Sequence, residues 1–208
     1  VDNGVKVFLL CNPHNPVGRV WTREELTRMG DICMRHDVFV VSDEIHNELV
    51  MPGHHYTPFA SVRPEYAGHC AVCTSSSKSF NLAGLHIANI TVADDHARAL
   101  VDKQININET CDVGPFGVVA LQAAYTPEGE EWLRQLMEYV YGNYQFLCQF
   151  MAQHLPQIRV TRSEGTYLAW IDCSALGMES ADLAQLISEK IHVWFTPGKE
   201  YYPAGSTF

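Results

Sequence analysis

The sequence lacks long hydrophobic runs and has little positive charge. Its longest apolar stretches, such as residues 38–41 and 113–121, are far shorter than the roughly 20 residues that a transmembrane helix needs. Fourteen Lys and Arg residues stand against 24 Asp and Glu residues, so the formal net charge is −10. Such a chain offers no broad basic surface to nucleic acid or to an anionic membrane. We therefore expect neither as a partner.

Several familiar signatures are missing as well. The sequence contains no GxSxG nucleophile motif, no GxxxxGK phosphate loop and no GxGxxG dinucleotide motif. Its seven cysteines are an odd number spread over 208 residues, which is unlike a disulfide scaffold and indicates a reducing cytoplasm. Cys70 and Cys73 have CxxC spacing, but without a second pair they predict no metal site.

Four apolar runs predict the strands of a mostly parallel sheet. Their hydrophobicity is continuous rather than alternating, which is typical of strands that are buried on both faces. Helical segments or long connections separate the runs, as parallel neighbours require. A capping box at Thr22-Arg-Glu-Glu25 predicts a helix after the first run, and Asp94 or Asp95 is expected to cap another after the last. The predicted strands are residues 6–11, 38–42, 70–74 and 86–93.

The second half of the chain predicts a smaller α+β domain. A short buried helix is expected over 115–125, followed by a long helix over 128–155 with one apolar side that faces the core. Two short strands, a helix that begins at Ser180 and a final strand follow. The apolar side of the long helix consists of Trp132, Leu136, Tyr139, Val140, Asn143, Phe146, Leu147 and Phe150, and the later elements are residues 158–161, 167–171, 180–190 and 191–195. We place the two domains at residues 1–127 and 128–208.

Polar residues follow three of the predicted strands at their carboxyl ends. These segments are residues 12–18, 43–46 and 75–78. Ligands of open parallel sheets bind at this edge, so we expect the three segments to form one site. Lys78 lies in a serine-rich turn with apolar sequence on both sides, which suits an amine that reacts with a carbonyl group. The residues alone thus predict a cofactor with a carbonyl or phosphate group, and no more.

Three motifs together resemble one known family. Residues 11–18 read Cys-Asn-Pro-His-Asn-Pro-Val-Gly, residues 42–46 read Ser-Asp-Glu-Ile-His, and residues 75–85 read Ser-Ser-Ser-Lys-Ser-Phe-Asn-Leu-Ala-Gly-Leu. In this order they resemble the fold-type-I pyridoxal-phosphate enzymes of the class I and II aminotransferase superfamily. His46 and Gly-Thr-Tyr-Leu-Ala-Trp at 165–170 are most similar to the carbon–sulfur lyase branch, the cystathionine β-lyases typified by MalY and PatB. The resemblance covers essentially all 208 residues.

The resemblance implies a fold and a role for three residues. The fold is α/β, with a mostly parallel sheet in a partial large cofactor-binding domain and a partial, smaller C-terminal α+β domain. Lys78 would hold pyridoxal 5′-phosphate as a Schiff base and later act as the base at the substrate Cα. Asp43 would pair with the protonated pyridine nitrogen, which makes the ring an electron sink. Asn15 would donate a hydrogen bond to the ring oxygen.

The roles of the remaining site residues are less direct. His46 occupies the place from which a tyrosine usually reaches the same ring oxygen, although a packed structural histidine is the alternative. Ser75 and Ser77 would donate to the phosphate. His86 stands where many members have a phosphate-binding arginine, and we expect a structural role for it. An arginine for the substrate carboxylate is expected just beyond Phe208, so the chain is expected to be incomplete.

The implied activity is β-elimination from sulfur amino acids. L-Cystathionine or cysteine conjugates would yield a thiol, pyruvate and ammonia, and the family's members are homodimers that act on such small molecules. One alternative is an aminotransferase that uses a 2-oxo acid as acceptor. The other is a regulatory partner of a transcription activator, which would bind through a surface outside the cleft.

Overall fold

The computed structural model describes residues 3–201 of the chain. Within them lie two sheets and a set of helices. The strands are β1 (Val7–Cys11), β2 (Phe39–Asp43), β3 (Cys70–Thr74), β4 (Asn89–Val92), β5 (Arg159–Val160) and β6 (Ile171–Asp172). The α-helices are α1 (Arg23–Arg35), α2 (Pro64–Ala67), α3 (Ser76–Ser79), α4 (Asp95–Ile107), α5 (Pro115–Ala124), α6 (Pro127–His154) and α7 (Ser180–Ile191).

The main sheet has four strands in the order β1-β2-β3-β4. The first three are mutually parallel, and β4 pairs antiparallel with β3. This confirms the predicted α/β fold with a mostly parallel sheet. Because β1, β2 and β3 run the same way, their carboxyl ends meet at one edge of the sheet, which we call the C-terminal edge.

One face of this sheet carries the main hydrophobic core. Side chains from β1, β2 and β3 pack there against α1 and the connection that leads from β2 to β3. Phe59 and Tyr66 of that connection stack with ring centroids 5.2 Å apart. The core residues are Leu10, Leu26, Cys33, Val38, Val40, Phe59, Val62, Tyr66 and Cys70.

The prediction that the first strand is buried on both faces is wrong for β1. Leu10 is buried, but Leu9 is 75% exposed and Val7 is exposed as well. The reason is that β1 is the edge strand and that α1 covers only the Leu10 face within residues 3–201. The continuous apolar run therefore predicted a strand correctly, but this strand is buried on one face and not on both.

Two predicted helix starts are confirmed with their caps. The Thr22 hydroxyl accepts the Glu25 N–H at 3.3 Å, and the Glu25 carboxylate accepts the Thr22 N–H at 2.8 Å. This reciprocal capping box begins α1, whose buried residues include Leu26 and Cys33. Asp94 caps α4 by accepting the Ala97 N–H at 2.7 Å.

The helices of the second half expose residues that we expected to be buried. In α5, Phe116 and Val119 are exposed. Gly117 faces inward and is so closely packed that a Cβ at this position would lie 2.9 Å from the Leu85 carbonyl oxygen. Four aromatic residues of the predicted apolar side of α6 are exposed, whereas the three aliphatic residues predicted on that side are half-buried. The exposed residues are Trp132, Tyr139, Phe146 and Phe150, and the half-buried ones are Leu136, Val140 and Leu147. No helix within residues 3–201 is long and apolar enough to cross a membrane.

The C-terminal segment departs from prediction in three places. Strand β6 is shorter than the predicted strand at 167–171, since it comprises only Ile171–Asp172, where it pairs with β5. Helix α7 begins after Glu179, and the Ser180 hydroxyl accepts the Lys199 N–H at 3.3 Å rather than capping the helix. The strand predicted at 191–195 is absent, since α7 runs through Ile191 and residues 192–197 have no regular structure. The last predicted residues, 202–208, lie outside the described part.

Candidate functional site at the C-terminal edge of the sheet

The ends of three parallel strands bring the predicted segments together. Cys11 of β1 is paired in register with Asp43 of β2, and Asp43 is paired with Cys73 of β3. Residues paired in register on parallel strands point to the same face, so the Asp43 carboxylate lies between two thiols. The segments that contain Asn15, His46 and Lys78 all leave the sheet from this edge.

Asp43 is an exposed carboxylate with no cation beside it in the described residues. Its Oδ1 accepts the Ile45 N–H at 3.2 Å, and across residues 3–201 it forms no salt bridge. Besides burial, the charge of Asp43 raises the pKa of both neighbouring thiols, Cys11 and Cys73. Burial first, and then the Asp43 charge, raise the pKa of Cys73. Burial and Asp43 also raise the pKa of Cys11, against a hydrogen bond from Asn15.

His46 is the buried centre of the site. The residue is 2% exposed, and neither Nδ1 nor Nε2 has a hydrogen-bond partner in the described part of the chain. Burial lowers the pKa of His46, the positive charge of Lys78 lowers it further, and the Asp43 charge raises it. The three predicted residues therefore lie within electrostatic reach of one another. A buried imidazole with two free nitrogens is an open hydrogen-bonding position.

Lys78 lies in the short helix α3. The side chain is half-buried, and among residues 3–201 its amine forms neither a hydrogen bond nor a salt bridge. Ser76 and Ser79, on either side of Lys78, are buried and their hydroxyls lack partners in the same region. These two serines were not predicted as site residues from the sequence, although their place beside the lysine was a usable signal.

Ser75 is held by two internal hydrogen bonds. Its hydroxyl donates to the Ile87 carbonyl at 2.6 Å and accepts the Ser77 N–H at 3.0 Å, which caps α3. The hydroxyl proton of Ser75 is thus directed to the backbone, and donation from Ser75 to a phosphate stays a prediction. His86, in contrast, is exposed and ends a short turn with φ of 50°.

Asn12 and Asn15 have different environments in the loop after β1. Asn15 is exposed, and its N–H contacts the Cys11 Sγ at 3.5 Å. Asn12 is fully buried: its Oδ1 accepts the Trp21 N–H at 3.1 Å, and its Nδ2 donates to the Thr57 carbonyl at 3.2 Å. Asn12 therefore fixes the loop, whereas the exposed side chain of Asn15 forms no hydrogen bond within the described part of the chain and can contact a ligand.

Glu44 fixes the segment that contains Asp43 and His46. It was not predicted as a site residue from the sequence. Its carboxylate is 1% exposed and accepts the Ser42 hydroxyl at 2.8 Å and the Phe59 N–H at 2.9 Å. The Tyr56 hydroxyl donates to its other oxygen. Burial and this carboxylate raise the pKa of Tyr56, so the phenol stays a donor. Three donors to one buried carboxylate hold the chain that follows β2.

A cavity of about 380 Å³ lies beside Asp43. Its walls are largely apolar, with Cys11, Cys73 and Thr74 among the residues that line it, and Asp43 is the charged residue among them. Within the described residues, no group of three or more His, Cys, Asp or Glu side chains is arranged to hold a metal ion.

The family assignment follows from the whole chain. Residues 1–207 match the model of the aminotransferase class I and II family. The chain is 40% identical over 207 residues to cystathionine β-lyase PatB of Bacillus subtilis (strain 168), and the match covers 100% of this chain and 53% of PatB. The chain thus spans about half the length of the curated relatives that it matches.

Two solved structures show the same fold. Cystalysin of Treponema denticola, whose crystal structure contains a pyridoxal 5′-phosphate cofactor, superimposes with a TM-score of 0.95 at 31% identity, over 99% of this chain and 53% of cystalysin. A pyridoxal-phosphate-bound putative aminotransferase of Clostridium difficile 630 gives 0.94 at 37% identity, over 98% and 52% of the respective chains. The chain therefore belongs to the aminotransferase class I and II family.

Proposed function

We propose that this chain provides the lysine and much of the cofactor site of a pyridoxal-phosphate-dependent carbon–sulfur lyase. The observation that carries the proposal is that Asp43 at the end of β2, the buried His46 and Lys78 of α3, which follows β3, all lie at the C-terminal edge of the sheet. Cystathionine β-lyase PatB supplies the precedent for the activity, and cystalysin supplies the precedent for the cofactor. The substrates would be L-cystathionine or cysteine conjugates, which yield a thiol, pyruvate and ammonia.

The free polar groups of the site fit this cofactor. Lys78 has an amine without a partner in the described residues, which suits attachment to the cofactor's aldehyde. Asp43 has no cation in the same region, which suits a protonated ring nitrogen. The two ring nitrogens of His46 have no partner among residues 3–201, and one can donate to the ring oxygen. Asn15 would bind the same ring oxygen, and Ser77, with Ser75 as predicted, would hold the phosphate.

The cofactor, when bound, supplies an electron sink that stabilises negative charge at the substrate Cα. The negative charge of Asp43 would hold a proton on the ring nitrogen of the bound cofactor. The amine of Lys78 would take the Cα proton of the substrate. The Cβ–S bond then breaks, and the sulfur leaves as a thiolate that takes up a proton. Water converts the remaining unsaturated amino acid to pyruvate and ammonium.

An aminotransferase is the second candidate. The Clostridium difficile 630 structure is described as a putative aminotransferase, and the family is named for that activity. Both reactions use the same lysine and the same aspartate. They differ in whether the Cβ–S bond breaks after the Cα proton is removed, which depends on the substrate side of the site.

We also propose that the full-length protein forms a homodimer and that it resides in a reducing cytoplasm. All seven cysteines are free thiols, and Cys11 and Cys73 lie at the site itself. Free thiols beside the cofactor suit a reducing compartment. Sedimentation of the full-length protein tests the dimer.

The proposed activity is tested with the full-length protein, pyridoxal phosphate and L-cystathionine, without a 2-oxo acid. We expect steady release of pyruvate and ammonia, loss of this release in Lys78→Ala, and full activity in the control Lys103→Ala, an exposed lysine of α4. No release from the unmodified protein, with amino transfer once a 2-oxo acid is added, would instead establish the aminotransferase.

A further inference from the structure

A segment from the C-terminal half of the chain lies against the candidate site. Residues 163–168 reach the loop after β1, where the N–H groups of Glu164 and Gly165 donate to the Gly18 carbonyl at 2.7 and 3.0 Å. The Thr166 N–H donates to the Leu49 carbonyl, three residues beyond His46, at 2.6 Å. The backbone of this segment is therefore fixed to the first polar segment of the site and to the chain just after the second.

The contact is closely packed. A Cβ on Gly18 would lie 2.7 Å from the Ser163 Oγ, and a Cβ on Gly165 would lie 2.8 Å from the Val20 Cγ2. Real Cβ atoms do not approach that closely, so the two backbones meet only because both positions are glycine. Arg19 adds a charged link, since its Nη1 lies 2.5 Å from the Glu164 Oε2.

Thr166 fixes the direction in which the next side chain points. It is fully buried with φ of 67°, a left-handed conformation that is rare for a β-branched residue. Its Oγ1 accepts the Leu168 N–H at 3.1 Å, which supports the turn from within. Backbone strain of this kind persists only where the surroundings determine it and is concentrated at functional sites.

The side chain that this turn presents to the site is Tyr167. Its ring meets the His46 ring edge to face, with centroids 5.8 Å apart and an angle of 69° between the planes. Tyr167 is 44% exposed, while His46 behind it is 2% exposed. Across residues 3–201 the Tyr167 hydroxyl has no hydrogen bond, so the contact with His46 depends on the ring.

We propose that Tyr167 is a positioning residue for His46. Its ring closes one side of the His46 pocket, fixes the orientation of the imidazole and keeps water from its two free nitrogens. This inference rests on the proposed function in one respect, namely that His46 faces the cofactor. Edge-to-face aromatic pairs have a preferred geometry, which a leucine cannot reproduce and a phenylalanine can.

The environment of His46 makes the contact measurable without turnover. The charged groups that face it are Lys78 of α3 and Asp43 of β2, and the Tyr167 phenol is the titratable group that packs on it from the C-terminal segment. Burial is the largest cause that lowers the pKa of His46. Removal of the Tyr167 ring admits water and should bring the pKa of His46 closer to its ordinary value.

The test measures the pKa of His46 by NMR in full-length protein labelled with [¹³Cε1]histidine and stripped of cofactor, with His46→Gln to assign the signal. We expect Tyr167→Leu to raise this pKa. Tyr167→Phe should keep the original value, as should the control Tyr139→Leu, a residue of α6 that is 69% exposed. Tyr167→Met, an unbranched side chain that adapts to irregular spaces, serves if the leucine variant fails to fold, and it should act as leucine does.

The second measurement is the dissociation constant for pyridoxal phosphate in the same variants. We expect it to rise ~2- to 10-fold in Tyr167→Leu, the range that corresponds to loss of an aromatic pair, and to stay unchanged in Tyr167→Phe. An unchanged pKa of His46 in Tyr167→Leu and Tyr167→Met, or a phenylalanine variant that behaves like leucine, overturns the inference. If the unmodified protein fails to bind pyridoxal phosphate, the proposed function fails, while the pKa comparison still decides the role of Tyr167.

Discussion

Glu44 should be the polar residue on which the local structure of the site depends most. Glu44→Ala leaves three donors without an acceptor: the buried Ser42 hydroxyl, the Phe59 N–H and the Tyr56 hydroxyl. A buried donor that loses its partner costs about 1–3 kcal/mol, so three of them cost about 3–6 kcal/mol once some gain access to water. That is a large part of the 5–15 kcal/mol that stabilises a typical domain.

Glu44→Gln should cost much less, and the difference is informative. The glutamine Oε1 can still accept from Ser42 and Phe59, and the Tyr56 hydroxyl can rotate to accept from the new amide group. Only the charge on the acceptor is lost, which we expect to cost about 1–2 kcal/mol. Glu24→Gln on the exposed side of α1 is the matched control and should change stability by less than about 0.5 kcal/mol.

The assay is urea unfolding of the full-length protein at pH 7, followed by circular dichroism and by cofactor absorbance. We expect the loss of free energy of unfolding to be smallest in the control Glu24→Gln, larger in Glu44→Gln and largest in Glu44→Ala. In Glu44→Ala, the cofactor should be released before the protein unfolds globally. A cost below about 1 kcal/mol for Glu44→Ala would refute the claim that this carboxylate holds the segment.

Two further predictions concern stability elsewhere. Gly30→Ala in α1 should cost about 1–3 kcal/mol in unfolding experiments because its Cβ would lie 2.4 Å from the Tyr66 Cε2, whereas Gly142→Ala in α6, which meets nothing within 4 Å, should be neutral or stabilising. Burial raises the pKa of Glu164, but its backbone hydrogen bond and Arg19 outweigh this and lower it below the ordinary value. Glu164→Gln should therefore cost about 1–3 kcal/mol at pH 7, and the difference from the unmodified protein should disappear as the pH falls through the folded-state pKa. Equal costs for the two glycine variants, or a pH-independent cost for Glu164→Gln, would contradict the respective argument.

The fold could be predicted from the sequence wherever the signal is local. Strands β1, β2 and β3 are short apolar runs, and α1 begins with a capping box that needs only four residues. The prediction for the apolar side of α6 was wrong for its aromatic residues, because the helix has apolar side chains on two adjacent stripes and only one of them is covered. Which stripe faces inward depends on the elements that pack against it, and hydrophobic periodicity does not contain that information.

The site could be predicted in part for the same reason. Asp43 and Lys78 lie at strand ends, so a pattern of apolar runs locates them. Glu44 and Tyr167 were missed as site residues because their roles depend on partners distant in sequence, such as Phe59 for Glu44 and His46 for Tyr167. The sequence indicated which segments meet at the edge of the sheet, but not which side chains hold them there.

The central claim is that Lys78 holds the cofactor, and one measurement tests it directly. Full-length protein is loaded with pyridoxal phosphate, reduced with borohydride to fix any lysine-bound cofactor as a secondary amine, digested and analysed by mass spectrometry. We predict one modified lysine, Lys78. Modification of another lysine, or no modified peptide from protein that has bound the cofactor, would contradict the account.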